Sequence, residues 1–152
     1  MASSPDIRMV DVGGKPVTKR QAVAKGRVVM QAATLKLLKR GKLPKGDVLA
    51  AARVAGIMAA KETHRLLPLC HPLLIEDVNV EFSIDERASA VEVTAIVKGS
   101  GKTGFEMEAL TAVAISGLTI YDMCKTVDQK MRMESIRLTQ KSGGKSGTIT
   151  YE

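Results

Sequence analysis

An α+β fold, with helices against one face of a mainly antiparallel sheet, follows from three features of this 152-residue chain. Between Arg20 and Met30, the residues Ala22, Ala24, Gly26, Val28 and Met30 alternate with Gln21, Val23, Lys25, Arg27 and Val29, the period of two that marks a half-buried strand. The segments Leu74 to Ile84 and Ala90 to Lys98 flank Asp85-Glu86-Arg87 as the arms of a hairpin, with Val91, Val93, Ala95 and Val97 on one face. Ala109 to Tyr121 then runs without a charge in a chain that is 26% charged. That run falls short of the ~20 apolar residues a bilayer requires, and being apolar on every side it predicts a helix enclosed by its own protein. Strands and helices segregate as much as they alternate, which is the α+β pattern.

Taken in order, Met1 to Arg8 is small and polar, and its start is expected to be loose. Met9-Val10-Asp11-Val12 has the composition of a short strand ended by Gly13-Gly14. After the first long strand, Ala32 to Arg40 predicts a short helix stopped by Gly41. Asp47 is an N-cap for a second helix through Val48, Ala52, Ala55 and Met58 to about Arg65, and Pro68 ends it at the latest. Leu69-Cys70-His71-Pro72 is a rigid link into the hairpin, and Gly99 to Gly104 leads into the central helix. Ser135 to Gln140 and Thr148 to Tyr151 read as two last strands around a Gly/Ser/Lys loop.

The charges at the ends of the central helix differ in kind. Glu106 and Glu108 fall in its first turn, where free N–H groups and the helix dipole favour anions. Asp122 falls in its last turn, where the dipole disfavours a carboxylate by ~0.3 to 1 kcal/mol, with Lys125 at i+3 on the same face. A capping ion pair satisfies that spacing, and so does an acid placed there for chemistry. An unbroken helix separates Glu108 from Asp122 by about 21 Å. If both ends carry chemistry, there are two sub-sites or a second subunit supplies one end.

Length and composition fit one domain over residues 1–152. A net charge of +7, with lysine and arginine scattered rather than gathered in a tail, favours anionic partners: phosphorylated small molecules or nucleic acid. With no Trp, and only Phe82, Phe105, Tyr121 and Tyr151, a base-stacking platform is poorly equipped, which favours the small phosphorylated ligand. Two cysteines make no disulfide framework, Met1 to Val10 lacks an apolar signal core, and no run reaches membrane length, so the expected compartment is the cytoplasm.

Gly101-Lys102-Thr103 and Gly144-Lys145-Ser146 look like the end of a phosphate-binding Walker loop, but that pattern needs a glycine where Ile96 and Thr139 stand. What remains is Lys141-Ser-Gly-Gly-Lys145-Ser-Gly147, whose three glycines allow N–H groups to converge on an anion beside two ammoniums; a solvated loop has the same composition. A zinc site from His64, Cys70, His71 and Cys124 lacks any usual ligand spacing, so no metal site is expected. His71 suits orienting a substrate or moving a proton, and equally a capping role. Lys45, just outside a helix N-terminus, is placed either to hold a phosphate or simply to lie at the surface.

Taken together, Met-Val-Asp-Val at 9 to 12, Lys-Gly-Asp-Val at 45 to 48, Ala-Gly-Ile at 55 to 57, Leu-Cys-His-Pro-Leu at 69 to 73, Gly-Lys-Thr-Gly at 101 to 104, Glu-Met-Glu-Ala-Leu-Thr-Ala at 106 to 112, Leu-Thr-Ile-Tyr-Asp-Met-Cys-Lys at 118 to 125 and Lys-Ser-Gly-Gly-Lys-Ser-Gly at 141 to 147 resemble the cyclic pyranopterin monophosphate synthases of molybdenum-cofactor biosynthesis, the MoaC family. Phe105 departs from the pattern, standing where a smaller aliphatic residue is expected. The resemblance implies a ferredoxin-like subunit in a hexamer, a trimer of dimers with active sites shared between subunits. It implies a lyase-type conversion of 3',8-cyclo-7,8-dihydro-GTP, the product of a radical GTP cyclase, to cyclic pyranopterin monophosphate and diphosphate. By the same resemblance Asp122, with Lys125 beside it, Lys45 and Lys141 are catalytic. Leu69, Cys70, His71, Glu106, Met107, Glu108 and Lys145 then contact substrate. No cofactor is implied; a Mg²⁺ ion accompanying the triphosphate is compatible with it.

Overall fold

Five strands and three helices make up the fold in a computed structural model that describes residues 5–152. They are β1 (Thr18–Val29), α1 (Ala32–Arg40), α2 (Val48–Leu66), β2 (Leu74–Asp85), β3 (Ala90–Gly101), α3 (Glu106–Cys124), β4 (Arg132–Ser142) and β5 (Ile149–Thr150). The sheet order is β2-β3-β1-β4-β5, and every neighbouring pair is antiparallel. Apart from β5 and the short α1 this is a βαββαβ chain with β1 and β3 central, compatible with the ferredoxin-like arrangement.

The alternation seen in the sequence sets the faces of the sheet. Ala22, Ala24 and Val28 on β1 and Val91, Val93, Ala95 and Val97 on β3 are at most 1% exposed, and α3 crosses them while α2 lies over β2 and against α3. Side chains of opposite parity, such as Lys25, Arg27 and Glu92, stay half-exposed, and Arg27 pairs with Glu92 across the β1–β3 ladder. The two long helices meet closely because Gly56 has no side chain: a β-carbon there would run into Ser116 Oγ and lie 3.1 Å from the Ala112 carbonyl oxygen. Ser116 in turn donates to the Ala52 carbonyl at 3.0 Å. This contact fixes where both ends of α3 emerge. Phe105, the departure from the family pattern, is fully buried just before α3, its ring filling the space left by Gly99.

Helix ends follow the expected chemistry with one addition. The Asp47 carboxylate accepts from Ala50 N at 3.1 Å, and Gly41 closes α1. The start of α1 is capped from far away: Asp128 accepts from Gln31 N (2.8 Å), Thr34 Oγ1 (2.9 Å) and Lys130 N (2.9 Å). Burial alone raises the Asp128 carboxyl, but these bonds outweigh it and hold the group below its ordinary range.

Two expectations are corrected. Met9 to Val12 forms no strand; Gly13 N turns onto Asp11 Oδ1 and Lys15 N onto the Val12 carbonyl, and the segment runs beside the start of α3 without a ladder partner. Of the looseness expected for residues 1–8, residues 1–4 lie outside the described residues and 5–8 have no regular structure. Secondly, α3 is not enclosed on every side within one chain. Ala109, Ala112, Val113, Ile120 and Cys124 face the core, but Leu118 is 49% exposed and Leu110 and Tyr121 are only partly covered. Among the described helices α3 alone has the length and apolarity of a membrane span, and it lies against the sheet.

Candidate active site

The N-terminal end of α3 is the floor of two adjoining cavities. One, of about 600 Å³, is walled by Leu69, Cys70, His71, Met107 and Glu108, with Arg8, Val10 and Val12 of the N-terminal segment on another side. Its polar feature is Glu108, 3% exposed, whose Oε2 lies 3.8 Å from Cys70 Sγ and whose Oε1 has no hydrogen-bond partner among the described residues. Burial pushes the Glu108 carboxyl up, more than its own backbone N–H and the Cys70 thiol pull it down, and the charge of Glu106 adds to the rise. The Cys70 thiol is pushed up as well, by burial first and then by Glu108. The result is an apolar slot containing one buried carboxyl group with unused hydrogen-bonding capacity.

The second cavity, of about 570 Å³, shares Lys15, Thr103, Gly104 and Glu106 with the first and opens between two glycine loops. One is the turn Gly101 to Gly104; the other is Lys141 to Gly147. Gly143 and Gly144 adopt φ of 103° and 74°, and a β-carbon on Gly143 would collide with the Lys19 carbonyl, so glycine is required there on both counts. Lys141 Nζ donates to Glu106 Oε1 at 3.2 Å, while Lys145 is exposed and Arg20 reaches in from β1. Lys15, Arg20, Lys141 and Lys145 thus surround this space with positive charge, balanced within it only by Glu106.

At the opposite end of α3 the arrangement is a surface cluster. Asp122 Oδ2 accepts from Lys45 Nζ at 3.1 Å, and Oδ1 lies 3.1 Å from Lys125 Nζ. Lys45 also reaches the Asp122 carbonyl at 3.3 Å, a contact suited to the unpaired carbonyls of a helix C-terminus. The hydrogen bond from Lys125, then that from Lys45 and the charges of both, hold the Asp122 carboxyl below its ordinary range. Its side chain is 53% exposed, so the acid sits at the surface end of α3, with lysines on both sides.

The structure therefore gathers the expected residues into two groups. Leu69, Cys70, His71, Glu106, Met107, Glu108, Lys141 and Lys145 line the adjoining cavities, and Lys45, Asp122 and Lys125 form the second group a helix length away. His64, Cys70, His71 and Cys124 do not assemble as ligands, and no three His, Cys, Asp or Glu side chains among the described residues are placed to hold a metal. Sequence reasoning missed Arg8, Lys15 and Arg20 as lining residues. Lys15 and Arg20 had only their charge as a signal, in a chain with 23 lysines and arginines.

Comparison with known proteins gives the same grouping a context. The family model described as the MoaC family matches residues 9–144. A protein of Chloroflexus aurantiacus named cyclic pyranopterin monophosphate synthase is 62% identical over 140 residues, which covers 92% of this chain and 86% of that protein. Proteins of the same name from Parvibaculum lavamentivorans (61% identity, 92% and 88% covered) and Pelotomaculum thermopropionicum (57% identity, 93% and 84% covered) are similar over comparable lengths. The family match includes both ends of α3 and the cavity walls apart from Arg8 and the end of the second glycine loop, and on that basis the chain belongs to the MoaC family.

Proposed function

We propose that this chain is a lyase of molybdenum-cofactor biosynthesis that converts 3',8-cyclo-7,8-dihydro-GTP to cyclic pyranopterin monophosphate with release of diphosphate. The observation that carries the reading is the pair of adjoining cavities at the N-terminal end of α3, one apolar with a buried carboxyl group and one ringed by cations and glycine loops. A guanine-derived ring with N–H groups on its edge suits the first, since Glu108 Oε1 is an unused acceptor. A polyphosphate suits the second, where Lys141 and Lys145 supply charge and the glycine loop supplies backbone N–H groups.

The reaction opens one ring, closes a pterin and forms a cyclic phosphate as diphosphate leaves, so it requires proton transfers and charge neutralisation without net redox change. Asp122, held ionised by Lys125 and Lys45, takes a proton in one step and returns it in a later one. Lys45 and Lys125 stabilise the carboxylate before the first of those steps and after the second, and Lys45 also supplies positive charge toward the phosphates. His71 and Leu69 position the ring against Cys70 and Met107. No resident cofactor enters this account: Glu106 and Asp122 are already paired with lysines and Glu108 with the Cys70 thiol, and Mg²⁺ would arrive with the triphosphate.

Since Asp122 lies about 21 Å along α3 from Glu108, the reading requires that Asp122 of one subunit complete the cavities of another. A homohexamer built as a trimer of dimers supplies such shared sites, and the half-covered Leu118 face of α3 is a surface that such contacts would cover. We place the enzyme in the cytoplasm, downstream of the radical GTP cyclase that makes its substrate. The test is to supply the cyclised GTP intermediate and measure diphosphate and pterin together; full turnover by Asp122→Asn would remove Asp122 from the mechanism.

A further inference from the structure

Lys45 and Asp122 meet across 77 residues of chain, and their contact alone does not hold them together. Both side chains are about half-exposed, and an exposed ion pair fixes its partners only weakly. Lys45 stands in the span between α1 and α2. Asp47 caps α2 on one side of it; on the other, Lys42 N donates to the Leu37 carbonyl, Gly46 N to the Leu43 carbonyl, and Leu43 is buried, so the loop follows α1. The start of α1 has no local anchor: Gln31 makes no side-chain capping bond and the first turn has no acidic residue. Leu35 and Leu38 bury the helix against the core, but apolar burial is non-directional and does not fix where its end points.

That direction comes from Asp128. Its side chain is 2% exposed, and its carboxylate holds Gln31 N and Thr34 Oγ1 with one oxygen and Lys130 N with the other. Asp128 is in turn carried by the end of α3, because Val127 N and Asp128 N both donate to the carbonyl of the fully buried Cys124, at 3.0 and 3.1 Å. Residues 122–128 thus carry the acid, Lys125 beside it, and the buried group that anchors the helix leading to Lys45. We infer that Asp128 is a positioning residue for the proposed reaction: by capping α1 from the end of α3, it sets Lys45 against the carboxylate of Asp122. The inference rests on the reading of Asp122 as the base and extends it to a buried group outside the surface cluster.

The kcat–pH profile on the cyclised GTP substrate tests this with wild type, Asp128→Asn, Lys45→Ala and the double variant, melting temperatures being recorded in parallel. Asn has one accepting oxygen where Asp has two, so Asp128→Asn must turn a donor toward either Gln31 and Thr34 or Lys130. Lys45 then leaves Asp122, whose other oxygen keeps Lys125, and the acidic limb should move to higher pH by most of the shift seen in Lys45→Ala. In the Lys45→Ala background the same change should move the limb no further, while lowering the melting temperature as much as it does alone. A cap with a structural role only lowers both melting temperatures and leaves the limb in place; that result, or an equal limb shift in both backgrounds, would overturn the inference. Thr34→Val removes a single hydrogen bond and carries the test if Asp128→Asn does not fold, its limb moving the same way by less. A crystal structure of either variant gives a reading independent of turnover: Lys45 Nζ out of hydrogen-bond reach of Asp122 Oδ2 supports the positioning, and the wild-type 3.1 Å refutes it. An enzyme inactive on this substrate with Lys45 displaced in the variant refutes the reaction and keeps the positioning, whereas an active one with Lys45 in place refutes the positioning alone.

Discussion

The two ends of α3 carry carboxylates in opposite states. At the N-terminal end Glu108 is buried, with one oxygen unpartnered and its carboxyl raised by burial, on the floor of a cavity its own chain builds. At the C-terminal end Asp122 is half-exposed, lowered by Lys125 and Lys45, and lines neither of the cavities that the other end supports. The helix dipole would by itself give the reverse order, favouring a charge at the N-terminal end and disfavouring it at the other. Local solvation and lysine partners therefore outweigh the dipole at both ends. In the proposed reaction one end recognises a group with hydrogen-bond donors, and the other presents a base to a substrate held by another subunit.

The largest expected effect comes from removing that base. Asp122→Asn should lower kcat by about 10² to 10⁴, the usual contribution of general acid–base catalysis, with the melting temperature nearly unchanged because the side chain is exposed. Activity close to wild type would make Asp122 only a capping ion. Glu108→Gln should act in two directions: substrate affinity falls by about tenfold with the loss of a strong acceptor, while stability at neutral pH rises by about 1 kcal/mol because an under-satisfied buried carboxyl group is replaced by a neutral amide. The sign with pH follows from the raised carboxyl. Folded protein holds this proton at pH values where unfolded chain has released it, so wild-type stability from this group is greatest below the ordinary glutamate range and is lost as pH rises through the raised value. The gap between wild type and Glu108→Gln, followed by denaturant melts, should therefore narrow toward acid; a constant gap would contradict the burial argument.

A smaller effect separates the roles of the two lysines beside Asp122. Since Lys125 and Lys45 both depress its carboxyl, removing either should move the acidic limb of the kcat–pH profile to higher pH, with Lys125→Ala shifting it more than Lys45→Ala. An unmoved limb would mean that another group sets it. The smallest effect is expected at Glu106 and Lys141, a partly exposed pair 3.2 Å apart. A double-mutant cycle on stability should return no more than about 1 kcal/mol, so that large activity losses in Lys141→Ala would report on substrate rather than on folding.

How far these features were legible in the sequence depends on range. The faces of β1 and β3, the hairpin and the span of α3 rest on local periodicity, and Ala22, Ala24, Val91 and Val93 lie where the alternation places them. Asp47 is legible as a cap because its partner is three residues away. The Asp128 cap on α1 is not, because Gln31 and Thr34 are more than 90 residues distant in the chain. Met9 to Val12 was misread as a strand because composition cannot reveal whether a pairing edge lies alongside. The enclosure of α3 was overstated for a similar reason: a charge-free helix implies that its surface is covered, but not that one chain does the covering, and Leu118 is left open. Arg20 sits at an ordinary position in an alternating strand, and only the approach of two distant loops distinguishes it.

Subunit complementation tests the shared-site account most directly. Glu108→Gln and Asp122→Asn proteins are mixed in equal amounts under conditions where subunit exchange is demonstrated, and diphosphate release is followed at cyclised GTP substrate well below KM, where the tenfold weaker binding leaves Glu108→Gln about a tenth of wild-type activity. If each site takes its cavities from one subunit and Asp122 from another, random exchange restores about a quarter of wild-type activity, because one site in four receives both intact ends. If both ends serve a site within a single subunit, the mixture stays as inactive as its components, and the account of two half-sites joined across an interface is wrong.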